Sequence, residues 1–203
     1  MNDQIFECVV STVAPEGQAH VAPMGVRYRV LADGSAGVLL MPFKPSTTHD
    51  NIVATGRAVL NIVSDARVFA ACVTGRRDHA ALALLPTADG HGQRLAGALR
   101  HLDLRLAERH DDAQRPVLHL GVERDTPHVP FEGLNRAQAA VIEGAVLVSR
   151  LHMLPADKVS QEMAYLQIAI DKTAGPAEHE AWGWLCEAVA ARGIAAPGGP
   201  PAA

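Results

Sequence analysis

Between residues 5 and 130 the apolar positions either alternate with polar ones or form short unbroken runs; beyond residue 130 they recur at helical spacing. Residues 5–13 are a dense β-branched run, apolar on both faces, as expected of a strand buried on two sides. The run ends at the turn Ala14-Pro-Glu-Gly. Residues 20–31 alternate, with Ala22, Met24, Val26, Tyr28 and Val30 on one face and Pro23, Gly25, Arg27 and Arg29 on the other. Ala32-Asp-Gly-Ser then supplies a hairpin turn, and residues 36–41 return antiparallel. Residues 58–63 read as the next strand. Residues 101–109 alternate strictly, Leu102, Leu104 and Leu106 inward and Asp103 and Arg105 toward solvent, and residues 115–124 repeat the habit with Leu118, Leu120 and Val122. Five or six antiparallel strands of this kind can curl into a small barrel.

Other segments interrupt this pattern. Pro42-Phe-Lys-Pro breaks the second hairpin, and Ser46-Thr47-Thr48 stands where a hydroxyl can cap a helix running to Gly56. A helix start offers unpaired N–H groups and partial positive charge, so Lys44 with Thr47 or Thr48 could hold a phosphate, or the hydroxyls could merely cap. Gly25 inside a strand reads as a bulge or as room for something flat against the backbone. Asn61, in an apolar strand, must hydrogen-bond either to a neighbouring turn or to the edge of a ligand. Residues 65–74 read as an Asp-capped helical turn stopped by Gly75, and 86–92 as a loop.

Composition shifts after Pro130. A helix opens at Asn135, with Gln138 placed to reach back to the cap. From 137 to 151 it is apolar nearly all round, apart from the narrow stripe of Arg136, Glu143 and Arg150, so it is covered either by the barrel and other helices or by a second subunit. Pro155 starts a further helix with Val159, Met163, Leu166 and Ile170 on one face. Pro176 starts a third, with Trp182, Leu185, Cys186 and Val189 at helical spacing and Glu178 and Glu180 near its positive end. The expected organisation is α+β: a split barrel over 1–130, a helical region over 131–193, and a Pro-, Gly- and Ala-rich disordered tail over 194–203.

The bulk numbers narrow the classes. A net charge of -4 with mixed signs provides no basic face for nucleic acid. No apolar stretch is long enough to span a bilayer, and the first residues lack a secretory pattern, which leaves the cytoplasm as the expected location. Three well-separated cysteines, Cys8, Cys72 and Cys186, read as free thiols. His101, His110, His119 and His128 recur every nine residues, a spacing that fits no standard zinc pair, so it reads as coincidence and no metal is expected. His119 reads as a satisfied histidine rather than a catalyst.

Ala22-Pro-Met-Gly, Lys44-Pro-Ser-Thr-Thr, Asn51 and the Asn61/Asp65 pair together resemble the FMN-binding split barrels of the flavin-reductase-like superfamily. The run from Asn135-Arg-Ala-Gln to Ser149-Arg150-Leu is similar to one family of unknown function within it, found in archaea and in methylotrophic bacteria that use methanopterin. The resemblance implies a homodimer with FMN near the subunit interface. Lys44, Ser46, Thr47 and Thr48 would hold the phosphate, and the backbone of Met24, Gly25 and Val26 would back the ring. Asn51 and Asn61 would lie near its polar edge, and Arg27 near its pyrimidine side. It marks no acid, base or nucleophile. The expected activity is that of an oxidoreductase fed by a nicotinamide or another small electron donor and linked to methanopterin-dependent one-carbon metabolism; the alternative is a non-catalytic flavin- or pterin-binding scaffold.

Overall fold

β-Branched and leucine-rich runs pair into a closed antiparallel barrel of order β1-β2-β3-β8-β7-β4 in the computed structural model, which describes residues 3–197. The strands are β1 (Phe6–Val13), β2 (Ala19–Val30), β3 (Ala36–Leu40), β4 (Arg57–Ile62), β7 (Arg100–His110) and β8 (Val117–Pro127). β5 (Leu84–Pro86) and β6 (Gln93–Leu95) form a separate hairpin. The split barrel expected from the sequence is therefore present with six strands. Its interior is filled by aliphatic residues of alternate positions, among them Val10, Val26, Leu40, Leu60, Leu104 and Leu120. Ile52 of helix α1 (Thr47–Thr55) joins them.

The chain divides into two units, each described by itself. One comprises the residues up to Val63 together with Ala83–Pro130, and holds the barrel; the other comprises Ser64–Leu82 and the chain from Phe131 on. The sequence reading gave the barrel everything up to residue 130, whereas Ser64–Leu82 groups with the C-terminal helices. The helical unit contains α2 (Arg67–Val73), α3 (Arg136–Ser149), α4 (Ala156–Thr173) and α5 (Pro176–Ala190). Helices α2, α4 and α5 all pack on α3, which accounts for its apolar circumference without a second chain. Asn135 caps α3 by accepting from the Ala137 and Gln138 N–H groups. Gln138 does not reach back as expected; its amide donates to Glu178 of α5 at 3.3 Å, and Glu178 also accepts from the Gly175 N–H at 2.9 Å. Asp65 lies one position before the cap of α2, yet it accepts from the Arg67 N–H at 3.0 Å. Ile194–Pro197 are irregular, and the rest of the expected tail lies outside the described residues. No helix among the described residues is long and apolar enough to cross a membrane.

One expectation of facing fails: Asp103, expected in solvent, is only 5% exposed. Val30, at the end of β2, is 76% exposed. The segment 86–92, read as a loop, is the tip of the β5–β6 hairpin, and that hairpin lies on the outer face of β1 and β4. The tip comes close because Gly92 has no side chain: a Cβ there would meet Val59 Cγ2 at 2.7 Å.

Asn61 fixes this packing. Its amide nitrogen reaches Ser11 Oγ at 3.0 Å and the Val9 and Val59 carbonyls at 3.2 and 3.3 Å, while its oxygen accepts from the Leu95 N–H at 2.8 Å. Ser11 Oγ in turn donates to the Gln93 carbonyl at 2.5 Å. The side chain is fully buried and joins β1, β4 and β6. Asn61→Ala would strand the Leu95 N–H without a partner under apolar cover, at a cost of about 2–4 kcal/mol. Chemical denaturation followed by circular dichroism should show a midpoint lowered accordingly with an unchanged slope.

Candidate functional site

The amino end of α1 is built by local chemistry. Pro42 to Pro45 terminate β3, Ser46 adopts an extended conformation, and its hydroxyl accepts from the His49 N–H at 3.2 Å. Gly56 closes the helix in the left-handed conformation. With the cap occupied by Ser46, the N–H groups of Thr47 and Thr48 have no acceptor inside the helix. Thr47 and Lys44 are exposed, and Lys44 forms no ion pair among the described residues. Thr48 is buried. His49 Nδ1 lies 2.8 Å from Asp50 Oδ1, and its buried Nε2 has no hydrogen-bond partner among the described residues.

Two further cations collect around the segment leading into this helix. Arg27 Nη1 lies 3.5 Å from Met41 Sδ and its Nε 3.5 Å from Asp3. Arg115, which the sequence reading did not select, reaches the Met41 carbonyl at 3.5 Å and sits over the Phe43 ring at 4.6 Å from its centroid. The Lys44 N–H donates to the Gln114 carbonyl at 2.9 Å, which ties this segment to the β7–β8 turn. Arg27, Lys44 and Arg115 thus surround Met41–Lys44, just before a helix terminus of the same sign. Only the tertiary fold brings Arg115 here; a proline-flanked Arg carries no signal in the sequence.

The other selected residues divide. Val26 is fully buried in the barrel core and Met24 packs against it, so both side chains serve the interior. Gly25 is not a bulge: the β1–β2 register runs through it without a shift, and a Cβ there would meet Ile5 Cγ2 at 2.8 Å. The room left by the missing side chain is taken by Ile5. Asn51 is buried and donates to Thr12 Oγ1 at 3.0 Å, and Asn61 is fully engaged within the barrel unit as described above. The structure therefore leaves Lys44, Ser46 and Thr47 together at the start of α1, places Arg27 against Met41, and withdraws Asn51 and Asn61 into packing. Two clefts of the barrel unit, of about 330 Å³ beside the β5–β6 tip and about 470 Å³ beside the β2–β3 turn, are lined by none of the selected residues.

The thiols are inert by environment. Burial pushes Cys8 up to about 12 and Cys72 and Cys186 up to about 11.

The β7–β8 hairpin folds His101 toward His128 and His110 toward His119, so the nine-residue spacing of these histidines brings them together in pairs. His101 Nδ1 and His128 Nε2 are 2.8 Å apart with the rings stacked, and His101 Nε2 lies 3.6 Å from Asp103 Oδ1. Both carboxylate oxygens of Asp103 lack a hydrogen-bond partner among the described residues. Burial raises the Asp103 carboxyl above the usual range and lowers His101, the latter helped by the neighbouring His128.

The geometry defines a six-stranded antiparallel barrel, a fold shared with FMN-binding proteins of known structure. The chain belongs to the family described as protein of unknown function (DUF447): the model of its N-terminal domain matches residues 6–128 and a second DUF447 model matches residues 135–187. An FMN-bound protein of Methanosarcina mazei, assigned to the same family, aligns with a TM-score of 0.73 at 19% identity, over 92% of this chain and 96% of that one. A homologue of nitrilotriacetate monooxygenase component B from Mycobacterium thermoresistibile gives 0.52 at 22% identity, over 63% and 72%. Flavoredoxin from Methanosarcina acetivorans gives 0.51 at 15% identity, over 63% and 74%. No curated protein matches the chain in sequence.

A raised carboxyl favours its neutral form in the folded state. Its contribution to stability is complete below the unfolded value of 3.8 and is lost as pH rises through the folded value. Asp103→Asn, neutral at every pH, should therefore melt a few degrees above the native protein at pH 7. The advantage should close as the pH falls toward 4, as thermal denaturation across that range would show.

Proposed function

We propose that this protein is an FMN-binding flavoprotein that holds the cofactor phosphate at the amino end of α1 and acts as an oxidoreductase of the flavin-reductase-like type. The observation that carries the reading is the shared fold, over 92% of the chain, with an FMN-bound protein of the same family. The residues present suit a phosphate: two unpaired helix N–H groups, the Thr47 hydroxyl, the exposed Lys44, and Arg27 and Arg115 alongside. Thr48 contributes through its backbone, since its side chain is buried. The backbone of Met24 to Val26 remains the proposed bed of the ring, with the Ile5 side chain beside Gly25. Bound flavin would supply hydride and electron transfer, while the chain's own groups bind and orient it.

The narrower parts of the reading are a homodimer, a nicotinamide or other small electron donor, and a place in methanopterin-dependent one-carbon metabolism. They draw on the family resemblance, and no residue described above selects among donors.

Purified protein should be yellow and release FMN on heating, and the stripped protein should take up one equivalent. Lys44→Ala combined with Thr47→Ala should weaken FMN binding by about 10- to 100-fold, the loss of two charge-assisted or polar contacts. Both residues are exposed, so the melting temperature of the flavin-free protein should not move. Protein that fails to bind FMN in titration would remove the reading. Anaerobic mixing of the loaded protein with NADH or NADPH tests turnover: bleaching of the flavin absorbance supports an oxidoreductase, and a persistently oxidised spectrum with both donors would leave a binder.

A further inference from the structure

We propose that Glu108, His110 and His119 form a binding site for a divalent transition-metal ion of the zinc class, on the outer face of the β7–β8 hairpin. Each offers one ligand atom, and the three atoms lie within 4.8 Å of one another. His110 Nε2 is 3.3 Å from Glu108 Oε1, and the two imidazoles meet edge to face with centroids 5.4 Å apart. Two ligands on a tetrahedral zinc, each about 2.0–2.1 Å from the ion, stand about 3.3 Å from one another. One edge of the coordination polyhedron is thus already at that length. Glu108 and His110 are exposed and His119 half-buried, so the set can close by rotation of the two exposed side chains.

The backbone explains why these three residues meet. Leu102, Leu104 and Leu106 turn to the barrel interior, and strict alternation would send positions 108 and 110 the same way. A bulge intervenes: Leu106 pairs with Leu120, but the next pair is Glu108 with His119, which leaves Ala107 as the extra residue. The parity of β7 reverses there, so Arg109 now stands opposite the core residue Leu118, while Glu108 and His110 share the outer face with His119. Bulges that re-aim side chains in this way are features of binding sites as well as of barrel rims.

The chemistry of the set points to one class of ion. Two imidazoles and a carboxylate suit zinc and its neighbours, whereas calcium and magnesium require oxygen ligands throughout. Three protein ligands leave at least one position open. Glu108 and His119 border a cleft of about 470 Å³, lined by residues 29–33 together with Ala107, with room for water or a small ligand.

The test uses full-length protein freed of metal by dialysis against a chelator, measured both as purified and after loading with FMN, so that its outcome is independent of the flavin reading. Titration with Zn²⁺ by calorimetry should show one equivalent bound in the micromolar range. Co²⁺ should give the visible d–d bands of a low-coordinate site. His110→Ala, His119→Ala and Glu108→Gln should each weaken binding by about tenfold or more, the loss expected when a metal site is damaged. His128→Ala, at the other end of the hairpin, should leave it unchanged. Failure to bind Zn²⁺ at about millimolar concentration overturns the proposal, as does binding that survives all three substitutions or is lost with His128→Ala.

Discussion

The register of β7 against β8 is the constraint on which the barrel unit depends. These two strands stand between β3 and β4 in the closed order, so the barrel cannot complete its hydrogen-bonded circuit unless they pair correctly. The pairing is not uniform. One shift falls between Asp103 and Leu104 and a second between Leu106 and Glu108, with the extra residue on β8 in the first case and on β7 in the second. A single bulge would leave the two strands offset by one residue, and every side chain beyond it would face the wrong way relative to its partner strand. Two compensating bulges restore the offset. Between them Leu104 and Leu106 stay opposite Val122 and Leu120, and beyond them Leu118 keeps its place in the core.

The same arrangement sorts the polar residues of the hairpin into two groups with different surroundings. Before the first shift, His101 and Asp103 lie on the outer face and are buried. The β5–β6 tip contributes Thr87, Asp89 and Gly92 beside Asp103 and Val59. Asp89 accepts from the Thr87 hydroxyl at 2.6 Å and the His91 N–H at 3.0 Å, and these bonds hold its own carboxyl below the usual range. Two carboxylates under one hairpin therefore titrate in opposite directions, one stabilised by donors and the other deprived of them. After the second shift, no hairpin covers the strand, and Glu108 and His110 remain accessible.

Strand identity was legible in the sequence because burial imposes recognisable patterns: residues 20–31, 101–109 and 115–124 carried a period of two, residues 5–13 and 58–63 were short apolar runs, and together with the hairpin return at 36–41 they predicted the barrel. The two long hairpins and the capped helix at Ser46 follow from local chemistry alone. What could not be read was the second layer on the outside of the barrel. Asp103 alternates like a solvent-facing residue, and nothing within β7 reveals that residues 84–95 fold over it. Asn61 was recognised as needing partners, but its partners come from β1 and from β6, tens of residues away in either direction. The pairing of the histidines was hidden for a related reason: a spacing of nine places no two of them together along one strand, and only a hairpin that folds the sequence onto itself does so. At the candidate phosphate site the hydroxyls and Lys44 were legible as neighbours in sequence, whereas Arg115 arrives from the far side of the β7–β8 turn and Ile5, beside Gly25, from the start of the chain.

The helical unit bears on what a second subunit would have to bind. The apolar circumference of α3 could have marked a face awaiting a partner chain, but α2, α4 and α5 already cover it. Segment 64–82 is secured to α5 by polar contacts as well: Arg67 to Glu180 at 3.2 Å, Arg76 to Glu187 at 2.5 Å, and Arg76 and His79 against the Trp184 ring. The chain thus leaves the barrel after Val63, contributes α2 to the helical unit, returns at Ala83, and leaves again after Pro130. The two family models divide the sequence once, between residues 128 and 135, but the structural units divide it three times. A cut at that single boundary would deprive α3 and α5 of α2 and leave an apolar helix, with Val68, Phe69 and Ala70 now exposed, attached to the barrel half. The C-terminal helical unit consequently includes one helix from an earlier part of the chain, and any dimer must form through surfaces other than the face of α3 that these helices occupy.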